Sequence, residues 1–210
     1  MPFELSILVA PLQAIVLAVF ALAAWRIQLV AQRRFNVAEE SILAFSLAKN
    51  ALDHARNGLA WQGEGVSREQ EPNEPPPLTK SRNMYYAPIE RLNAAHPKFA
   101  EMERVMLLAR HHLGEPAFDA FAALLECRHK VIVSAAHLIR FAGQDDWNAS
   151  DEGRKLNERF RADVGMLPDE NNELTQKIRS AESTLRDMCE REAKATAALW
   201  PFRYRAQSKN

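Results

Sequence analysis

Apolar residues form one uninterrupted run near the N-terminus and then recur at helical spacing along most of the chain. No charged residue occurs from Leu5 to Trp25. As a helix, this run of about 21 residues spans roughly 31 Å, which matches the hydrocarbon core of a bilayer. Leu, Ile, Val and Phe fill about half of its positions and favour membrane insertion. The pattern predicts a single transmembrane helix over residues 5–25, preceded by a short extracytoplasmic N-terminus of residues 1–4.

Two other interpretations compete for the same run. A core helix of a soluble domain is one, but such helices rarely lack a polar face over about six turns. A cleaved signal peptide is the other, since Ala21 to Ala23 resembles a small-residue cleavage site. The residues before the run include Glu4 and no basic residue, which does not fit a signal peptide. We therefore expect a permanent anchor.

Basic residues follow the apolar run. Arg26, Arg33 and Arg34 lie on its C-terminal side. Because the Arg-rich flank stays in the cytoplasm, we expect the N-terminus outside and the C-terminal domain in the cytoplasm. The excess of Arg over Lys favours a bacterial source, so the membrane would be the inner (cytoplasmic) membrane. Both cysteines, Cys127 and Cys189, would then be free thiols.

A juxtamembrane cytoplasmic helix is predicted over residues 26–61. Its apolar residues recur at steps of three or four up to Leu59. Asn36, with Glu39 three residues later, matches an N-cap and its capping box. The pattern leaves open whether this helix continues the transmembrane helix or breaks near Phe35.

A Pro-rich loop or linker is predicted over residues 62–81, which show no apolar periodicity. The prolines from Pro72 to Pro77 remove backbone donors and favour extended geometry. A plain spacer is the favoured interpretation. A PxxP-type ligand for a partner protein is the alternative, because loops of this length often bind something.

An antiparallel helical bundle is predicted over residues 82–200, so the fold class is all-α. No alternating strand pattern with hairpin turn signals occurs. A short helix is expected from Met84 to Asn93. Gly114 and Pro116 separate two long helical stripes and predict an antiparallel αα-hairpin. The main helices are expected at about residues 97–113, 116–142, 151–164 and 169–199.

The last of these helices has a heptad pattern. Its apolar positions alternate in steps of four and three, the 3.5-residue period of a coiled coil. A long bundle helix within one chain gives the same stripe and is favoured by the small alanines in it. The apolar positions of this helix are Leu174, Ile178, Ala181, Leu185, Met188, Ala195 and Leu199.

The aromatic and basic tail, residues 201–210, would rest on an anionic membrane or cover the end of the bundle.

Composition excludes several functional classes. The chain has 27 basic and 27 acidic residues and a pI near 7.0, so no nucleic-acid partner is expected. Two cysteines exclude a disulfide scaffold and a four-thiolate zinc site. The seven glycines form no phosphate-binding loop or dinucleotide fingerprint. No small-molecule substrate or cofactor can be identified.

Histidines are the main candidates for metal chemistry. Glu126 and His129 have the Glu-x-x-His spacing of di-iron bundles, but a second copy of the motif is absent. His129 and His137 share one helix face, and with His111 or His112 of the paired helix they could bind one transition metal. Solvated or hydrogen-bonded histidines are favoured over both, and no metal site is assigned.

Two pairs have an Arg and a His separated by four to six residues: Arg91 with His96, and Arg104 with His111. Their spacing resembles the Arg-x4–6-His motif of the HEPN family, small helical RNases of bacterial defence systems. The resemblance covers the motif alone. It implies that such a pair would position RNA for attack by its 2′-hydroxyl. No catalytic residue is assigned on this basis.

Small residues recur every four positions along the transmembrane helix, at Ala10, Ala14 and Ala18. This spacing lets helices approach closely and favours dimerisation.

The sequence thus favours a non-enzymatic, membrane-anchored scaffold or interaction module that self-associates. Its expected partners are the lipid bilayer and either a second copy or another membrane protein. A membrane-anchored effector enzyme, metal-dependent or HEPN-like, is the alternative.

Overall fold

Most of the residues that the structure describes, which are 3–58, 61, 63–144, 150–167 and 172–199, are helical. In this computed structural model, side chains are described from residue 12 of the first helix to residue 198 of the last. The predicted all-α fold is confirmed, with no strand in the described part. The helices are α1 (Phe3–Ala55), α2 (Pro76–Ala94), α3 (His96–Leu113), α4 (Glu115–Phe141), α5 (Asp151–Asp163) and α6 (Glu173–Leu199).

The apolar N-terminal segment and the juxtamembrane segment form one continuous helix, α1. The predicted N-cap at Asn36 is wrong. Asn36 lies inside α1, where its Oδ1 accepts a 2.8 Å hydrogen bond from Nε2 of Gln32. No Gly or Pro occurs between Pro11 and Ala55, so nothing in the backbone interrupts the helix. α1 ends at Ala55, before the predicted limit of this segment at residue 61.

Four helices form a closed antiparallel bundle: the C-terminal half of α1, then α3, α4 and α6. α1 packs against α3 and α6, and α4 packs against the same two helices from the opposite side. The chain turns from α3 into α4 through Gly114, whose φ of 99° suits glycine. The predicted αα-hairpin is therefore confirmed. α2 packs on α4 and α1, and α5 packs on α4.

The bundle core is filled by aromatic and aliphatic side chains. At its centre Phe45 of α1 and Phe121 of α4 meet edge to face, with ring centroids 5.9 Å apart. The stripe of α6 from Leu174 to Met188 is buried where α6 packs on α1 and α4. That part of the heptad pattern therefore packs within the chain. The largest fully buried side chains include Phe45, Phe99, Phe121, Leu52, Leu92, Met102, Leu124, Leu174 and Leu185.

The Pro-rich loop is shorter than predicted, because α2 begins at Pro76 and not after residue 81. Consecutive prolines favour an extended backbone, but the first turn of a helix also accepts proline, since no N–H is needed there. Ion pairs hold the end of the loop. Glu74 accepts from Arg68 at 2.5 Å and from Arg82 at 3.0 Å.

The other predicted boundaries are close to those observed. The helices expected at 97–113, 116–142 and 151–164 correspond to α3, α4 and α5 within one residue at each end. Residues 168–171 lie outside the described part, so the predicted start of the last helix at residue 169 is not tested. The predicted tail of residues 201–210 also lies outside the described residues.

Candidate functional site

The N-terminal half of α1 projects from the bundle without packing against it. From Leu12 to Val30 almost every side chain is exposed, including large apolar ones such as Leu17 and Phe20, each 69% exposed. The most apolar window of the helix has a mean hydropathy of 2.1 and no buried residue. Among the described helices, it alone is long and apolar enough to cross a membrane. The structure thus confirms a helix of membrane-spanning length and composition.

The bundle is attached directly to this apolar helix, because α6 returns alongside α1 almost to its exposed part. Oγ1 of Thr196 donates to the carbonyl of Ala31 at 3.5 Å. Further into the bundle, Arg34 donates to Glu192 at 2.6 Å. Six residues, fewer than two helical turns, separate Trp25 from Ala31, where α6 contacts α1. Since α1 is continuous there, no loop separates the projecting helix from the bundle.

A cluster of basic side chains surrounds this junction. The antiparallel register of α1 and α3, set by an ion pair between Glu40 and Arg104, places His112 beside Arg33. His111 and His112 meet edge to face, with ring centroids 4.7 Å apart. Burial, with the nearby charges of His111 and of Arg33 and Arg34, lowers the pKa of His112. The guanidinium groups of Arg33 and Arg34 therefore lie close enough to His112 to disfavour its charged form.

The histidines considered for metal binding are not brought together. Arg110 of α3 contacts Glu115 and stacks on Phe118, so the end of α3 lies beside the start of α4. His129 and His137 lie roughly 16 and 28 Å along α4 from Phe118, at 1.5 Å per residue. They are therefore far from His111 and His112 at the end of α3. No group of three potential ligands among His, Cys, Asp and Glu occurs in the described residues.

Individual surroundings also argue against metal chemistry at these positions. His137 lies between two aromatic rings, Phe141 at 6.0 Å and Phe160 at 4.9 Å, and is nearly parallel to both. His129 is exposed. Glu126, its partner in the Glu-x-x-His spacing, forms an ion pair with Lys177 at 2.5 Å. These contacts are those of packing and surface residues.

The two HEPN-like pairs do not form a common site either. Arg91 is buried and binds Glu64 and the carbonyls of His54 and Asn57, whereas His96 is exposed at the start of α3. Arg104, the arginine of the second pair, forms ion pairs with Glu40 and Glu101. Both arginines therefore have structural partners in the fold.

The two cysteines are buried free thiols, Cys127 in α4 and Cys189 in α6. Sγ of Cys189 donates to the carbonyl of Ala38 at 3.1 Å. Burial raises the pKa of each thiol to about 11. A thiol with a raised pKa is a poor nucleophile, so both cysteines act as packing residues.

Sequence reasoning did not find the cluster of Arg33, His111 and His112. The basic residues after the transmembrane segment were visible, but the contribution of α3 depends on its register against α1. The cue available in the sequence was the pair of histidines just before Gly114. In a helix that runs back along α1, such residues come to lie near the first residues after the membrane.

Comparisons with protein families, with curated proteins and with solved structures find no match to this chain. The proposals below therefore rest on the geometry of α1 and the bundle.

Proposed function

We propose that the chain is a single-pass membrane protein that holds a helical scaffold domain on the cytoplasmic face of the inner membrane. The observation that carries this proposal is the exposure of α1 between Leu12 and Val30. An apolar helix that is exposed on all sides is unfavourable in water and favourable in a bilayer. The basic residues at its C-terminal flank, Arg26, Arg33 and Arg34, favour an outside N-terminus.

The anchor predicts a strong effect of a single charge. Leu17→Arg places a cation near the middle of the apolar run, at a cost of about 2.5–3.5 kcal/mol on the insertion scale. We expect the full chain with a C-terminal reporter active only in the cytoplasm to stay in the membrane fraction after an alkaline wash. The variant should leave that fraction. Leu107→Arg, the same change at an exposed position of α3, should not.

A soluble product or a chain shortened by about 23 residues, as expected for a cleaved signal peptide, would contradict the anchor. An inactive reporter in the membrane fraction would contradict the proposed orientation. An active reporter in the membrane fraction would support both the span and its orientation.

Self-association is the second part of the proposal, and it is supported by the residues that share the outer face of α1. Leu43 follows Ala14 by 29 residues and Leu47 follows Ala18 by the same number, which is about eight full turns at 3.6 residues per turn. All four residues therefore lie on one face of α1. The bundle packs on the opposite face, through residues such as Phe45 and Ala48.

This geometry lets two copies join through α1 without a clash between their bundles. Ala14 and Ala18 allow close approach within the membrane. Outside the apolar segment the same face carries two exposed leucines, Leu43 at 61% and Leu47 at 45%. Exposed apolar side chains in line with a small-residue stripe favour a second copy of α1 as the neighbour.

We expect the full chain in mild detergent to be a dimer. The dimer of the double variant Leu43→Glu with Leu47→Glu should dissociate at a protein concentration about tenfold higher than that of the wild type, because like charges would face each other. Ala14→Leu should weaken the dimer through steric overlap in the membrane. Val133→Glu, at an exposed apolar position of α4, is the matched control. Light scattering measures the mass; a wild-type monomer, or equal effects of test and control variants, would contradict this face.

A further inference from the structure

The bundle end that faces the membrane segment presents three basic side chains with no acidic partner among the described residues: Arg33, His111 and His112. The carboxylates nearest in the fold are already engaged. Glu192 pairs with Arg34 at 2.6 Å, and Glu115 pairs with Arg110 at 2.8 Å. Arg33 is therefore available to pair with an anion from outside the chain.

The level of the cluster along α1 indicates where that anion lies. Exposed apolar side chains continue from the predicted span to Leu29 and Val30. Arg26, within this stretch, is long enough to extend its charge to the membrane surface. Arg33 follows Val30 by three residues, roughly 4.5 Å along the axis. The headgroup layer on each side of a bilayer is about 5–7 Å thick. Arg33 lies at this depth when counted from Val30, and roughly 12 Å along the axis from Trp25, the last residue of the predicted span.

Both helices contribute to the cluster at this same level. Glu40 and Arg104 pair between antiparallel helices, so eight residues forward along α3 correspond to seven or eight residues back along α1. This register brings His112 beside Arg33, and His111 lies against His112. One guanidinium and two imidazoles are thereby gathered at the end of the bundle nearest the membrane segment.

We propose that Arg33, His111 and His112 form a binding site for the phosphate of an anionic phospholipid, such as phosphatidylglycerol, in the leaflet beside the bundle. The proposal rests on the proposed membrane span of α1. Arginine donates two parallel hydrogen bonds to phosphate oxygens, and the imidazoles add donors when protonated. A zwitterionic headgroup carries its own cation and competes less well for a cationic site.

Without a bound anion, the surroundings of His112 favour its neutral form, which still donates one N–H. Its pKa is lowered by burial and by the charges of His111, Arg33 and Arg34. The acidic groups on the neighbouring elements, Glu115 and Glu192, are engaged by other arginines. A bound phosphate would offset the repulsion from the neighbouring cations, so it would favour the protonated form of His112.

The test measures lipid preference in the full chain. The protein is first reconstituted into vesicles of phosphatidylcholine, with or without phosphatidylglycerol, and its retention is recorded. It is then extracted in mild detergent and titrated with each lipid, and bound lipids are counted by native mass spectrometry. We expect phosphatidylglycerol to bind about fivefold more tightly than phosphatidylcholine, as the one permanent cation of the site, Arg33, would give at about 1 kcal/mol.

Two matched double variants locate the effect. Arg33→Gln with His112→Gln should reduce the preference to about twofold or less. Lys155→Gln with Arg161→Gln, on exposed positions of α5, should leave it unchanged. Retention in both vesicle types without any lipid preference, or equal loss in both variants, would overturn the headgroup site and leave the anchor standing. Failure to be retained in either vesicle would overturn both.

Discussion

Replacing Arg91 with methionine is expected to lower the free energy of unfolding by about 3 kcal/mol, because it removes one partner of a buried ion pair. The guanidinium makes two parallel contacts with Glu64, at 3.0 and 2.5 Å. It also donates to the carbonyl of His54 at 3.2 Å and to that of Asn57 at 2.7 Å. These carbonyls belong to the end of α1, where no intrahelical donor remains.

Arg91 thus joins three parts of the chain: the end of α1, the loop at Glu64 and the end of α2. Methionine has a similar length but no donor, so Glu64 and both carbonyls would each lose their hydrogen bonds from the guanidinium, although Glu64 keeps the bond from Trp61 N–H and the His54 carbonyl keeps the one from Asn57 N–H. Urea unfolding of the full chain in mild detergent, followed by circular dichroism, measures the loss. Arg91→Lys should recover only part of it, since a lysine cannot form the bidentate pair.

His96 provides the discriminating control. It is exposed at the start of α3, so His96→Ala should change the stability by less than about 0.5 kcal/mol. If Arg91 and His96 acted as a catalytic pair, both variants would lose an activity and both would keep their stability. A stable Arg91→Met protein would therefore contradict the structural role given to Arg91 here.

Acid should weaken the same contact. The pKa of Glu64 is lowered, chiefly by its hydrogen bond from Arg91. A lowered carboxyl pKa means that the folded state prefers the charged form of Glu64. The stability from this pair is therefore fully present at pH values above the ordinary pKa of a glutamate. It is lost as the pH falls through the lowered pKa. The Arg91→Met variant should lack this part of the acid dependence.

Helix ends marked by proline and glycine were predictable from the sequence, and α3 and α4 show this best. Pro97, Gly114 and Pro116 fix three of their four ends because each residue has a restricted or special backbone preference. The start of α2 was missed because Pro75 to Pro77 suit both an extended chain and a first helical turn. Local preference alone does not separate these two conformations.

Continuity of α1 was not predictable for a different reason. Asn36 and Glu39 satisfy a capping-box pattern, but a cap forms only where the helix is interrupted. Contacts from α6 on both sides of Asn36, at Ala31 and Ala38, hold the backbone helical there. Such contacts depend on residues distant in sequence. The membrane segment was predictable because its signal is local, whereas the basic cluster beside it depends on helix register.

Gly165→Ala is expected to destabilise the protein by about 3 kcal/mol or more, through a left-handed backbone and a direct steric overlap. Gly165 has a φ of 79°, and a Cβ atom there would lie 1.6 Å from the carbonyl oxygen of Arg56. A Cβ on Gly58 would likewise lie 2.5 Å from the carbonyl oxygen of Gly165. The turn after α5 and the end of α1 therefore touch backbone to backbone.

This contact matters for the anchor because it positions the chain where α6 begins. Nε of Arg56 donates to the carbonyl of Asp163 at 2.9 Å, and its terminal nitrogens donate to Thr175 of α6 at 3.3 Å. If the turn is forced away from α1, the first residues of α6 must move with it. Amide hydrogen exchange should then rise along α6 as far as its contact with Ala31 beside the membrane segment.

Gly63→Ala separates the two causes of the Gly165 effect. Gly63 also has a left-handed φ, of 96°, but a Cβ there would meet nothing within 4 Å. Its substitution should cost only about 1–2 kcal/mol, the price of the left-handed conformation alone. Urea unfolding of both variants in the same detergent gives the comparison. Equal losses would mean that the backbone contact between Gly165 and Arg56 is easily relaxed, and α6 would then not be held at its start by α1.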